Sequence, residues 1–217
     1  MMSKWVADNL VGILTLVFAV PGALFAFFQW HRDQAWKRTT AAVERIRSFY
    51  ETPGARNAMM ILKSPRREIP LWDRQYPPEG GPYAIVTWDE AKWALIPTSW
   101  DAFDDKKMTA IRDSFEDFTD RLTQIETYLD ADLLRQEDVC HLVEPWAKRL
   151  GGPTERRIAD GGLSRNFRVY VDRENKTALQ QLFARYGVDL KETLDEDGRA
   201  FDAELSTLLE NRRQAKS

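Results

Sequence analysis

The chain reads as a mainly α-helical protein: an N-terminal transmembrane helix, then a cytoplasmic helical bundle carrying a long aromatic and proline-rich loop and a candidate short strand. Three observations predict this. Residues 9–30, NLVGILTLVFAVPGALFAFFQW, contain no charge. At about 1.5 Å of helical rise per residue they cover about 33 Å, enough for a hydrocarbon core of about 30 Å. Apolar residues recur at helical spacing through most of the remaining chain. Charge is also divided: residues 31–67 hold nine Lys or Arg against three Asp or Glu, whereas residues 68–217 hold 21 against 30.

Taken in order, residues 1–8 form an extracytoplasmic tail and 9–30 the span. Trp5, Trp30 and Trp36 bracket the run where two water interfaces would lie. A cleaved export signal has a shorter apolar region followed by small residues, but this run leads into Phe27, Phe28, Gln29 and Trp30. Pro21 and Gly22 are tolerable in a bilayer helix with a kink. Lys4 and Asp8 cancel before the span, while Arg32, Lys37, Arg38, Arg45 and Arg47 outnumber Asp33 and Glu44 after it. That asymmetry places the N-terminus outside and the remainder inside a bacterial inner membrane. Arg32, Lys37 and Arg38 set topology and meet anionic lipid. The single Cys140 fits a reducing compartment, and the acidic distal region argues against nucleic acid as a partner.

Residues 31–63 read as basic juxtamembrane helices. Trp36, Val43, Ile46 and Tyr50 extend the first to about Glu51. Thr52 and Pro53 start a second, with Ala58, Met59, Ile61 and Leu62 on its apolar side, and Ser64 and Pro65 stop it. Residues 64–86, with five prolines and Gly80 and Gly81, form a loop. Its Leu71, Trp72, Tyr76, Tyr83, Ile85 and Val86 are too apolar for a disordered linker, so it packs on the core or recognises something. Trp72, Tyr76 and Tyr83 are its candidate partner-binding residues, because aromatic side chains dominate interface energetics.

Residues 87–150 form the core of the bundle. Thr87 and Glu90 have capping-box spacing and open a helix bearing Trp88, Trp93 and Leu95 that ends at Pro97. Met108, Ile111, Phe115, Phe118, Leu122, Ile125 and Leu129 alternate spacings of three and four along one stripe. Two bulky phenylalanines at adjacent seam positions suit an internal bundle, with a dimeric coiled coil as the alternative. Val139, Leu142, Val143, Trp146 and Leu150 mark an antiparallel partner helix, kinked at Pro145 and ended by Gly151, Gly152 and Pro153. The anchor, the basic helix and the segment FEDFTDRLTQIETYLDADLLRQEDV of residues 115–139 resemble a family of small bacterial single-pass membrane-anchored helical proteins of unknown function. The resemblance covers about residues 5–150 and implies no catalytic or binding residue.

In the α-rich extension of residues 151–217, NFRVYVD (166–172) alternates Phe167, Val169 and Val171 with Arg168, Tyr170 and Asp172, the pattern of a strand. Helices follow around 177–186 and 197–213, the last carrying Phe201, Leu205, Leu208 and Leu209 on one side. The sharpest metal pattern is TLDEDGRAFDAE, where Asp195, Asp197 and Glu204 fall at calcium-loop positions but Thr193 replaces the first acid. Helix capping by Asp195 or Asp197 explains the same letters. His141 and Cys140 are adjacent, so on a helix they diverge by about 100° and cannot form a nucleophile and base pair. Cys140 reads as a small core residue. Zinc spacing, a phosphate loop and a nucleophile elbow are missing from the sequence. No cofactor is implied. The function expected is non-catalytic: a membrane-held module that binds an unknown protein or self-associates. The alternative is a membrane-attached enzyme using carboxylates and a divalent metal.

Overall fold

In a computed structural model, the residues described are 2–72, 80–96, 105–151, 161–191 and 194–216, with side chains from Val17 onward and, in the last helix, at 194, 196–207 and 210. The chain divides into two compact units, residues 1–43 and 44–217. The described residues are mainly helical, with one two-stranded sheet.

Helix α1, Met2–Glu51, keeps its helical backbone through Pro21. Every residue from 17 to 30 is exposed, including Phe18, Phe25 and Phe28 at 74%, 70% and 67%. Among the described residues no helix is long and apolar enough to cross a membrane. The uncharged run begins at Asn9, so the side chains of residues 9–16 lie outside those described.

Helix α2, Pro53–Lys63, starts where Thr52 and Pro53 predict and stops at Ser64. Thr52 does not cap it with its side chain; its hydroxyl donates instead to the Ser48 carbonyl at 2.8 Å. Asp117, from another helix, accepts from the Gly54 N–H and supplies the negative charge this helix start favours. At the other end the Arg149 guanidinium donates to the Leu62 carbonyl.

The expected loop is partly a β-hairpin. Strand β1, Arg66–Pro70, runs antiparallel to β2, Tyr83–Thr87, with Ile69 opposite Ala84 and Arg67 opposite Val86. The prolines obscured this because Pro70 closes β1 and Pro82 precedes β2, positions at strand ends where a missing donor costs little. Ile69 and Val86 face the core, at 0% and 1% exposure. Helix α3, Trp88–Ala94, opens on the expected capping box: the Thr87 hydroxyl accepts from the Glu90 N–H at 3.3 Å and Glu90 accepts from the Thr87 N–H at 2.9 Å. Trp88 ties it to α2 by donating its indole N–H to the Ile61 carbonyl at 2.8 Å.

Helix α4, Lys106–Asp130, carries the long stripe, and Ile111, Phe115, Phe118 and Leu122 are each 0% exposed within a single chain. The stripe is therefore the internal seam of a bundle. Helix α5, Gln136–Gly151, keeps its backbone through Pro145. Its closest backbone approaches are to the next two helices of the chain, so it is less the partner of α4 than expected. Trp146 gives it an aromatic contact with α4, edge-on to Phe118 at 5.6 Å.

Residues 166–172 are not a strand. They lie in helix α6, Leu163–Arg173, where Leu163, Ser164, Asn166, Phe167, Arg168, Val169, Tyr170 and Val171 are all buried. Leu163, Phe167, Tyr170 and Val171 do recur at the helical spacings of four, seven and eight, but residues 166–172 taken alone show the alternation of Phe167, Val169 and Val171, which mimics period two. Helix α7, Thr177–Ala184, ends before Gly187, which takes φ +72°. Helix α8, Leu194–Lys216, begins earlier than expected and buries Phe201 and Leu205. Leu208 and Leu209 lie outside the described side chains.

Candidate functional site

The expected site residues fall on separate surfaces. Tyr83 is 46% exposed, as is Ile85 two residues on, so both stand on the outer face of the hairpin. Trp72 is half-buried just beyond β1, and its backbone N–H donates to the Pro82 carbonyl at 3.2 Å, continuing the ladder. Tyr76 lies outside the described residues. Lys37 pairs with Asp33 at 2.8 Å on the surface of α1, Arg32 is exposed and Arg38 half-buried. Cys140 is half-buried rather than a core residue, its thiol donating to the Glu137 carbonyl at 3.3 Å, and His141 is exposed beside it.

Most of the calcium pattern lies on a helix, while Thr193 is outside the described residues. Residues 194–204 are turns of α8, and a helical backbone cannot wrap its carboxylates around one ion as a calcium loop does. Asp197 and Glu204 instead meet cations of α3 and α6; the Asp195 side chain is outside those described. Among the described residues, no three His, Cys, Asp or Glu converge to hold a metal.

Sequence reasoning missed the polar belt around α6. Arg168, 1% exposed, donates from Nε to Asp197 Oδ2 at 2.7 Å and from Nη1 to the Leu150 carbonyl at 2.7 Å. Asn166 donates to the Lys92 carbonyl at 3.2 Å, and Arg165 donates to Glu204 Oε2. Lys92 reaches the other Glu204 oxygen at 2.6 Å while lying 4.9 Å above the Trp93 ring. Arg173 closes the row on Asp202 at 2.7 Å and lies 4.8 Å over Phe201. Burial pushes the Glu204 carboxyl up, but its Lys92 and Arg165 partners more than offset that and hold it below its ordinary value. A signal was available: Arg165 and Arg168 are three apart, and Asp197 and Glu204 are seven apart, each pair sharing one face once both segments are read as helices.

A second polar node lies on α4. Arg112 donates to the Ile96 carbonyl, to Glu116 at 3.1 Å and to Glu174 at 2.7 Å, and its guanidinium stands 5.7 Å from the Tyr170 ring centre. Burial pushes the Tyr170 phenol far above its usual range, so it stays protonated. Arg185 forks onto both oxygens of buried Glu126 at 2.8 to 2.9 Å. These contacts bind helices to one another through matched charges. No protein-family model, curated protein or solved structure matches this chain.

Proposed function

We propose that this protein is a non-catalytic module, held by residues 9–30 in a bacterial inner membrane with its C-terminal domain in the cytoplasm, that binds a protein partner. The observation that carries the reading is the α1 surface from 17 to 30, exposed throughout and free of charge. In water such apolar surface costs about 25 cal/mol for each Å², and a bilayer removes that cost. The excess of Lys and Arg after the run supports the N-outside orientation. Arg32, Lys37 and Arg38 then sit at the leaflet, where each basic residue gains about 1 kcal/mol against anionic lipid.

The partner surface is the outer face of the hairpin. Tyr83 and Ile85 are exposed there beside Arg66 and Glu68, on a strand pair backed by Ile69 and Val86. A large aromatic held on a fixed strand loses little side-chain entropy on binding, which suits it to anchor an interface. The anchoring is tested by washing membranes with alkaline carbonate. The intact chain should stay in the pellet, and a variant with Leu14, Val17, Leu24 and Phe28 changed to Lys should leave it; an intact chain that washes off refutes the anchor. Proximity labelling then tests the hairpin: Y83A with I85S should lose neighbours that the parent labels, while its thermal transition is preserved.

A further inference from the structure

We propose that the cleft between α3 and α6 is a receptor site for an acidic amphipathic helix of a partner protein, and that α8 is its built-in, displaceable occupant. This goes beyond the anchoring reading and does not depend on it. The cleft floor is apolar: Trp93 and Ile96 from α3 and its C-terminal end and Val169 from α6 join Phe201 and Leu205 of α8 in a hydrophobic cluster of their own. Its lining is cationic, with Arg165 and Arg173 partly exposed and Lys92 and Arg168 buried.

The occupant is complementary to both features. Asp197, Phe201, Glu204 and Leu205 stand at spacings of four, seven and eight on α8, the anchor pattern of a helix laid in a groove. Each carboxylate meets a cation: Asp197 meets Arg168, Glu204 meets Lys92 and Arg165, and Asp202 meets Arg173. Among the described side chains, Phe201, Leu205 and this set of charges hold α8, and α6 is the element whose backbone it approaches most. The pairs at Glu204 and Asp202 are partly exposed and weaken with salt, whereas Arg168–Asp197 is enclosed and is screened much less. The fit is also incomplete. Nη2 of Arg168 is buried and has no hydrogen-bond partner among the described residues, since Asp197 meets the guanidinium at Nε. A longer carboxylate at that position, reaching Nε and Nη2 together, would satisfy both arms of the fork. The ligand class is thus a helix with a Glu or Asp, an aromatic four residues on, and a Glu-Leu pair three residues after that.

The test uses a fluorescent peptide of residues 190–216 as probe and the full chain in detergent micelles as receptor. Loosening the resident helix with Phe201→Ala and Leu205→Ala should strengthen peptide binding at least about tenfold over the parent, because the free fraction of the site rises. Lys92→Glu in the loosened chain should abolish that gain. Equal binding to parent and loosened chains, or no binding to a loosened chain that still melts cooperatively, overturns the proposal. Should the loosened chain fail to fold, hydrogen exchange of the parent decides. Opening of α8 well before α4 supports a displaceable helix, and joint opening of the two refutes it. Concentration-dependent parent dimers that the free peptide dissolves would make a second copy the occupant and overturn the assignment to a different protein.

Discussion

Arg168 and Asp197 form the most enclosed ion pair among the described residues, with side chains 1% and 6% exposed. Removing one partner leaves a charge that water cannot reach, so Asp197→Ala should cost about 3–5 kcal/mol of stability by denaturant titration. Replacing both, as Arg168→Met with Asp197→Leu, should cost clearly less than the single change, because no orphan charge remains. The titration of single carboxyls has a definite sign. Glu204 is held below its ordinary pKa, its burial outweighed by Lys92 and Arg165, and Glu90 likewise by Lys107 and Thr87. Their stabilisation is full above about pH 4.5, the unperturbed value, and is lost as pH falls through the lower folded values. Asp113 and Asp117 are raised, first by burial and also by neighbouring carboxylates of α4. The folded state therefore takes up their protons before the unfolded state does, and these two gain stability as pH first falls from neutral. Denaturant midpoints should show a shallow mildly acidic maximum and then a steep acid limb. Glu204→Gln should flatten that limb; an unchanged slope would show that Glu204 does not contribute to it.

At the scale of elements, the capping box predicts that Thr87→Ala costs about 1 kcal/mol, read as a lower melting temperature, because the Glu90 N–H loses its acceptor. The internal seam predicts that Phe118→Ala costs about 3–5 kcal/mol, since Phe118 meets Phe49, Trp146 and Phe167 with no exposed surface. A folded F118A chain of undiminished stability would show that the stripe faces something else. Both elements were legible in the letters because each has a polar side that makes the pattern visible: Asp113 and Asp120 beside the seam of α4, Asp89 beside Ala91 in α3. The hairpin and α6 were not legible, for opposite reasons. Arg66, Arg67 and Glu68 make β1 mostly polar, so register with β2 and not hydrophobic alternation defines it. Helix α6 is mostly buried, with Asp172 and Arg173 exposed, and its Arg168 looks like the exposed face of a strand until Asp197, 29 residues later, is seen beside it. The belt shares this difficulty, since its members come from three helices far apart in sequence.

For the whole molecule, division into an exposed helix with an uncharged run and a domain sealed by its own core and ion pairs fits separate tasks for the two. In the proposed function the first unit answers to lipid and the second to protein. Charge is divided at a different point, with a net of +6 in residues 31–67, a stretch that crosses from the first unit into the second, and −9 beyond them, so an anionic leaflet attracts the former and repels the latter. The proposed orientation is tested most directly by protease added to intact spheroplasts expressing the chain with an epitope after its last residue. The expected result is an epitope that is protected until detergent opens the membrane and is then digested. An epitope cleaved in intact spheroplasts, with the chain still membrane-bound, would contradict that orientation.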